Sequence, residues 1–518
     1  MYDYVIVGAG SAGCVLAARL SEDPDVSVCL VEAGPSDTSP NIHVPAAFGK
    51  LFRTRMDWDY DTHDEPRLGR RRVYLPRGNV VGGTSSINTM IYIRGNQADY
   101  DGWNQPGWSY RELLPYFLRS EDNERGASEY HGAGGPLSVS DGRSRNPMSK
   151  AFVAAAVQAG HPYNDDFNGA SQDGFGAFQL TQKDGMRASA ATAFLHPAMD
   201  RPNLTVEANL QVHQVVVEDG RARGVRGFRL EEEIVLRAER EVIVSGGAYN
   251  SPQLLMLSGI GPAWQLEALG IPVVADLPQV GQNLQDHLLV PLIYAHDEPI
   301  SLLVAGEPRY QEQFAGSRSG PLTSNGPEAG GFARTEAGLA APNVEFLAAP
   351  VMFADNGLGT PTAHALSYGP SMLAARSRGS VQLASDDPTA KPKIIHNYLS
   401  EPEDLAEAVE GVRLGLAIAR QTALGAYTAN PYRPPASDSD DDLRDYIRDF
   451  AHSIYHPAAT CAMGAVVDPE LRVHGVAGLR VVDASVMPTL VRGNPNAPTI
   501  AIAEKAADLV RGLPPLAG

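Results

Sequence analysis

The chain has 518 residues, 43% of them apolar and 20% charged, a length and composition that exclude a small stapled module, a collagen-like repeat and wholesale disorder. Its three cysteines, Cys14, Cys29 and Cys461, are too few and too scattered for a disulfide framework or a CxxC-type metal site, so no bound metal is expected. The formal charge of −19 repels phosphate backbones and excludes nucleic acid as a partner, and otherwise reads as an acidic, solvated surface.

No run of 18 apolar residues occurs, and the N-terminus opens directly on a strand pattern rather than on a basic and then apolar leader, so a soluble, cytoplasmic protein without a membrane span is expected. Tyr4-Val5-Ile6-Val7 is a short apolar run ended by the turn Gly8-Ala9-Gly10-Ser11-Ala12-Gly13; Val15 to Leu20 suits a helix, and Val26 to Val31 is a second strand closing on Glu32. This is the opening of a doubly wound sheet. Further strands are predicted at Leu204 to Glu207, Val212 to Glu218, Glu233 to Leu236 and Glu241 to Val244, followed by a helix over Asn250 to Leu257 with Ser251 at its N-cap and Pro252 in its first turn.

Between about 286 and 449 the pattern changes to strand-like pieces (Asn343 to Ala348, Gly379 to Ala384), Gly/Pro/Ser-rich loops and an amphipathic helix, Pro402 to Arg420. The acidic run Asp438, Asp440, Asp441, Asp442 reads as a loop entering a helix, where carboxylates favour the dipole. The C-terminal strand Leu479 to Asp483 and helix Thr499 to Arg511 return to the first style. The expected organisation is α/β: a Rossmann-like nucleotide-binding domain from 1–145, 190–285 and 450–518, interrupted by a second domain from 146–189 and 286–449.

Three glycines of the first turn have separable duties: Gly8 for the tight turn, Gly10 for close approach of a pyrophosphate, Gly13 for packing helix on strand. Glu32 stands where a carboxylate can accept ribose hydroxyls, which disfavours a 2′-phosphate and hence NADP. FAD and NAD both fit these residues. A second dense stretch, Pro76 to Asn88, offers backbone N–H groups and hydroxyls beside Gly82 and Gly83 that can cradle an anion or a flat ring. A third runs from Gly247 to Gly261.

These stretches, with Val280-Gly281-Gln282-Asn283-Leu284-Gln285-Asp286-His287, Asn397-Tyr398-Leu399, His456-Pro457-Ala458-Ala459-Thr460-Cys461-Ala462-Met463-Gly464 and Gly493-Asn494-Pro495-Asn496-Ala497-Pro498-Thr499, resemble the glucose-methanol-choline (GMC) oxidoreductases in order and over nearly the whole chain. The resemblance implies FAD, a Rossmann-like FAD domain and a substrate domain built on an antiparallel sheet flanked by helices. Carried over residue by residue, Gly8, Gly10, Ser11, Ala12, Gly13, Glu32 and Ala33 hold the ADP half; Gly82, Gly83, Ser86 and Asn88 lie against the flavin and pyrophosphate. Val212 contacts adenine through its backbone, and Asp483, Ala484 and Pro495 lie near the ribityl chain and ring. Ile87 stands where choline oxidases carry the histidine that tethers flavin, so the resemblance implies noncovalent FAD.

The same resemblance places His456 and Asn494 before the flavin ring: the imidazole as base for an alcohol hydroxyl, the carboxamide, which only hydrogen-bonds, to position the oxygen. His287, His452 and His474 gain no such role and read as structural, and Cys461 as a buried apolar filler. The expected activity is FAD-dependent oxidation of a primary alcohol (aryl, furanic, aliphatic, amino or sugar) to the aldehyde, with dioxygen or a quinone as electron acceptor. The look is closest to bacterial choline-dehydrogenase-like members, a group of varied substrates. Rival readings are a hydroxynitrile lyase on the same fold, separated by whether an alcohol bleaches the flavin; a fatty-acid photodecarboxylase, which would show light-dependent loss of carbon dioxide from fatty acids; and a noncatalytic flavin-binding sensor, which would turn over no alcohol of a broad panel. Oligomeric state is not legible.

Overall fold

Strands Leu204–Glu207, Val28–Val31, Tyr2–Val7, Glu232–Val244 and Leu479–Val481 lie side by side in that order, all parallel, in the computed structural model, which describes residues 1–517. Val28–Val31 and Leu479–Val481 are buried throughout; the first reads as an unbroken apolar run, and in the second Arg480 is buried by pairing with Glu241. Glu232–Val244 is one strand of 13 residues where two were expected. Its last residues run parallel to Tyr4–Val7, while its first pair antiparallel with Arg221–Arg229 and, through it, with Gln211–Glu218. Glu239 and Arg240, in the gap between the two expected strands, are exposed at the point where the strand leaves the core.

Helix Ser11–Leu20 packs against the C-terminal helix Asn496–Arg511. Arg19 reaches the buried Glu504 with N···O distances of 2.8 and 3.0 Å, and Ser11 Oγ donates to Asn496 Oδ1 at 2.7 Å. The two ends of the chain thereby meet at the glycine-rich turn.

Helix Gly247–Leu257 starts earlier than its local signals indicated, and Pro252 lies inside it. Proline lacks the N–H that would bond the carbonyl four residues back, that of Ala248; Thr460 Oγ1 donates to it instead, at 2.6 Å. The helix start is capped by Asp483, whose Oδ2 accepts Gly247 N–H at 2.9 Å and Ser251 Oγ at 2.5 Å. Ser251 is thus not the N-cap.

A second sheet is antiparallel throughout, in the order Asn430–Tyr432, Leu292–His296, His364–Met372, Val344–Ala349, Ala329–Ala333, Gly174–Ala177. Leu288–Leu289 joins it, pairing with both His364–Met372 and His452–Ser453. Helix Pro402–Ala419 covers one face, and two glycines bring it close: a Cβ on Gly415 would fall 2.7 Å from Leu292 Cδ1, and one on Gly411 3.0 Å from Pro370 Cβ. The acidic run does enter a helix, Asp440–Phe450, capped by Ser439, whose Oγ accepts Asp442 N–H. All three cysteines are buried and free.

Beside the first sheet, Arg94 and Glu121, both buried, form an ion pair at 2.6 Å, and His131 bridges Glu121 Oε1 at 3.1 Å and Asp166 Oδ2 at 2.9 Å. Burial alone would lower the His131 ring, but hydrogen bonds to Asp166 and Glu121 outweigh it and hold it protonated up to about 9. A raised folded-state value stabilises fully below the free-imidazole range and is lost as pH rises through about 9. The melting temperature is therefore expected to fall between pH 7.5 and 9.5, and His131→Gln to remove that part of the slope; an unchanged slope in the variant would assign it elsewhere.

Candidate active site and cofactor cradle

One cavity of about 330 Å³ runs from the glycine-rich turn to His456 and Asn494. Gly8, Gly10, Ser11, Ala12, Glu32, Ala33, Gly83, Asn88, Val212, Asp483, Ala484, Asn494 and Pro495 all line it, whereas Gly13, Gly82 and Ser86 do not. These last three shape its walls. A Cβ on Gly13 would stand 1.9 Å from Gly8 O, so this residue lets the helix sit on the strand. Gly82, at φ 90°, turns the second loop and donates its N–H to Ala9 O at 2.7 Å, and Ser86 Oγ donates to Val81 O at 2.9 Å.

The two glycine loops touch: a Cβ on Gly83 would fall 2.6 Å from Gly10 Cα. Gly10 differs from its neighbours. A Cβ there meets only Ser245 O, at 4.0 Å, so protein packing leaves room beside it at the N-terminus of helix Ser11–Leu20, the place for an anion. Glu32 accepts Ala9 N–H and Gly34 N–H, each at 2.9 Å, and burial, partly offset by these donors, raises its carboxyl to about 7. Ile87, apolar and without a nucleophile, faces the cavity. Asp483 also lines it, yet its oxygens are held by protein donors as the cap of helix Gly247–Leu257.

At the other end, Asn494 Nδ2 lies 3.1 Å from His456 Nε2. With the amide nitrogen toward the ring, Nε2 carries the lone pair and the proton sits on Nδ1. His456 Nδ1 lies 3.0 Å from His287 Nδ1, so that proton has an acceptor. The pairing of Leu288–Leu289 with His452–Ser453 aligns these two histidines, 169 positions apart. Asp286 Oδ1 accepts the backbone N–H of His456 at 2.8 Å, while its Oδ2 accepts Tyr398 OH and Ser453 Oγ, both at 2.5 Å. Burial first, then His287 and Arg77, push the His456 ring well below the usual imidazole value, so it is neutral at neutral pH. Arg77, which lines the cavity, donates to Tyr455 O at 2.6 Å.

Sequence reasoning missed four of these groups. His287 and His452, read as structural, lie against His456 and in the cavity wall respectively. Asp286 and Arg77 sit inside stretches already singled out, the first beside His287 and the second at the head of the Gly82-Gly83 loop, and that membership was the available signal. His474 does not line the cavity, and buried Cys461 is held as a thiol by burial.

A parallel sheet with a glycine-lined groove at a helix N-terminus, joined to an antiparallel sheet that brings an imidazole and a carboxamide to the far end, defines a dinucleotide-cofactor enzyme of the oxidoreductase class. The family model described as GMC oxidoreductase matches residues 2–289, and its C-terminal counterpart matches 375–503. The chain is 44% identical to alcohol dehydrogenase (acceptor) of Pseudomonas putida, covering 98% of this chain and 96% of that protein. It is 45% identical to human mitochondrial choline dehydrogenase, covering 99% and 90%. Among solved structures, pyridoxine 4-oxidase from Mesorbium loti superposes with a TM-score of 0.90 at 32% identity, covering 98% of each chain. A fungal aryl-alcohol oxidase gives 0.85 at 26% identity, also over 98% of each chain. The chain belongs to the GMC oxidoreductase family and is an FAD-dependent oxidoreductase acting on CH–OH groups.

Proposed function

We propose that the protein oxidises a primary alcohol to the aldehyde, with His456 as base and Asn494 as the group that holds the alcohol oxygen. The observation that carries this reading is the placement of His456 Nε2 3.1 Å from the Asn494 amide nitrogen, with both residues lining the cofactor cavity. FAD, when bound, supplies the two-electron acceptor that takes the carbinol hydrogen as hydride. Gly8, Gly10, Ser11, Ala12, Glu32 and Ala33 hold its ADP half and Gly83, Asn88, Ala484 and Pro495 its flavin half, with Val212 beside the adenine. Gly13, Gly82 and Ser86 fix the loops that carry these contacts. The cofactor is noncovalent, because Ile87 offers no atom for a tether.

His456 Nε2 accepts the hydroxyl proton, and its own Nδ1–H donates to His287, so the imidazolium that forms shares its charge with a second ring. Asn494 donates to the oxygen as it gains negative charge. Arg77, whose field already depresses His456, favours that charge. The proton resides on His456 and the carbonyl product leaves toward the outer cavity. Dioxygen or a quinone then takes the electrons.

Anaerobic titration of the purified yellow protein with primary alcohols tests the reading: bleaching of the visible flavin absorbance is expected, and admitting air distinguishes an oxidase by fast recolouring. A flavoprotein that no alcohol bleaches would be a lyase or a sensor. Asn494→Asp places a carboxylate against Nε2, which favours imidazolium and opposes alkoxide; flavin reduction is expected to slow by roughly 10²-fold and its acid limb to move to higher pH. An unmoved limb would separate Asn494 from the base.

A further inference from the structure

Apolar side chains make up much of the cavity lining that continues from the residues beside His456. Phe48, Phe52, Leu289, Leu347, Val351 and Phe353 all belong to this wall. Phe52 packs on Tyr455 with ring centroids 6.4 Å apart and on Phe48 at 6.0 Å, and Phe353 packs on His452 at 5.7 Å, so this wall continues directly from the residues flanking the base. Five of the six are half-buried, and the surface they expose faces a cavity.

The charges around it are equally specific. Among the described residues, the only carboxylates lining the cavity are Glu32 and Asp483, both at the cofactor end. Asp286 lies behind His456, outside the lining, with its oxygens held by three protein donors. The one arginine in the lining is Arg77, a cation close enough to depress His456. Glu345 shares a strand face with Leu347 but is fully buried and outside the lining, and burial pushes its carboxyl up to about 8, which disfavours a negative charge there. A cationic headgroup would leave water for this wall with no carboxylate in the lining to pair with and with Arg77 repelling it; Glu328, which follows the lining residues Gly326 and Pro327, spends its oxygens on the hydroxyls of Ser144, Ser149 and Ser324. Attraction to the aromatic faces recovers only part of that loss.

We propose, resting on the alcohol-oxidising reading above, that the substrate is an uncharged alcohol with an apolar body, alkyl or aryl, and that the site discriminates against quaternary-ammonium alcohols such as choline. The apolar body lies against the six wall residues while the hydroxyl reaches His456 and Asn494. Polyols and amino alcohols are disfavoured for the same reason: each polar group placed on this wall loses its hydrogen bonds to water.

Choline and 3,3-dimethyl-1-butanol have the same shape and differ only in charge, so the pair isolates the electrostatic part. Anaerobic flavin reduction of the FAD-loaded enzyme is measured with both, and with benzyl alcohol and 1-octanol. The expected result is a second-order rate constant of flavin reduction (the limiting reduction rate over the substrate Kd) for dimethylbutanol at least about 10²-fold above that for choline, with benzyl alcohol or octanol higher still. Leu347→Glu, which adds a carboxylate to the wall, is expected to lower that ratio at least about tenfold, and Glu345→Gln to leave it unchanged. Choline reducing the flavin as well as dimethylbutanol, or a ratio that changes in Glu345→Gln, overturns the proposal while leaving alcohol oxidation intact. Bleaching by none of the four overturns the reading beneath it and this one with it.

Discussion

His456→Ala is expected to yield a yellow holoprotein whose flavin is reduced by alcohol at least about 10²–10⁴-fold more slowly than in the wild type, since the group that takes the hydroxyl proton is gone. Cofactor retention is expected because the seat at the glycine-rich turn is built without this imidazole. The pH profile gives a second reading. Burial, His287 and Arg77 hold the wild-type ring well below its ordinary value, so wild-type reduction should be flat through neutrality and fall only on the acid side. The variant should lose that limb, and added imidazole, entering the space left by the ring, should restore part of the rate. Comparable reduction rates in variant and wild type would remove His456 from the chemistry. His287→Leu is a companion: it leaves His456 in place but removes the acceptor 3.0 Å from its Nδ1, so the ring is free to carry its proton on the wrong nitrogen. Slower reduction with an altered acid limb is expected, and His287→Asn, whose carbonyl can accept, should recover part of it.

How much of this could be read from the chain alone depends on whether a feature's partner is near in sequence. The opening strand, turn, helix and strand were legible because strands buried on both faces read as continuous apolar runs and the turn needs glycine at fixed places. The entry of the Asp438 to Asp442 run into a helix was legible for a similar local reason. The start of helix Gly247–Leu257 was not, because its cap, Asp483, comes from 236 positions away and the Ser251-Pro252 pair mimics a local start. Glu232–Val244 looked like two strands because it changes neighbours midway, from a half-solvated antiparallel ribbon to a buried parallel sheet, and its hydrophobic period changes with them. His287 is the sharpest case: nothing local distinguishes it from a structural histidine, and only the short antiparallel pairing of Leu288–Leu289 with His452–Ser453 puts it on the ring of His456.

The cofactor seat yields the other large effect, and two glycines three positions apart should respond differently to the same substitution. In Gly13→Ala the new methyl would stand 1.9 Å from Gly8 O and 3.0 Å from Gly8 C, backbone atoms that cannot swing aside. Helix Ser11–Leu20 must move off its strand, and that displaces Ser11 from Asn496 and Arg19 from Glu504. Overpacking of this kind costs at least about 1–3 kcal/mol, and the expected outcome is a protein that melts earlier and is purified with little flavin. In Gly10→Ala the methyl meets nothing closer than Ser245 O at 4.0 Å, so the apoprotein should melt as the wild type does. Its methyl nevertheless occupies the room beside the helix N-terminus where the pyrophosphate belongs, so FAD affinity should fall by at least about 10²-fold. Paired melting curves of apoprotein and fluorescence titrations with FAD separate the two cases. Gly10→Ala binding FAD as tightly as the wild type would move the pyrophosphate away from this turn, and Gly13→Ala with unchanged stability would mean that the helix is not seated on the strand as closely as 1.9 Å implies.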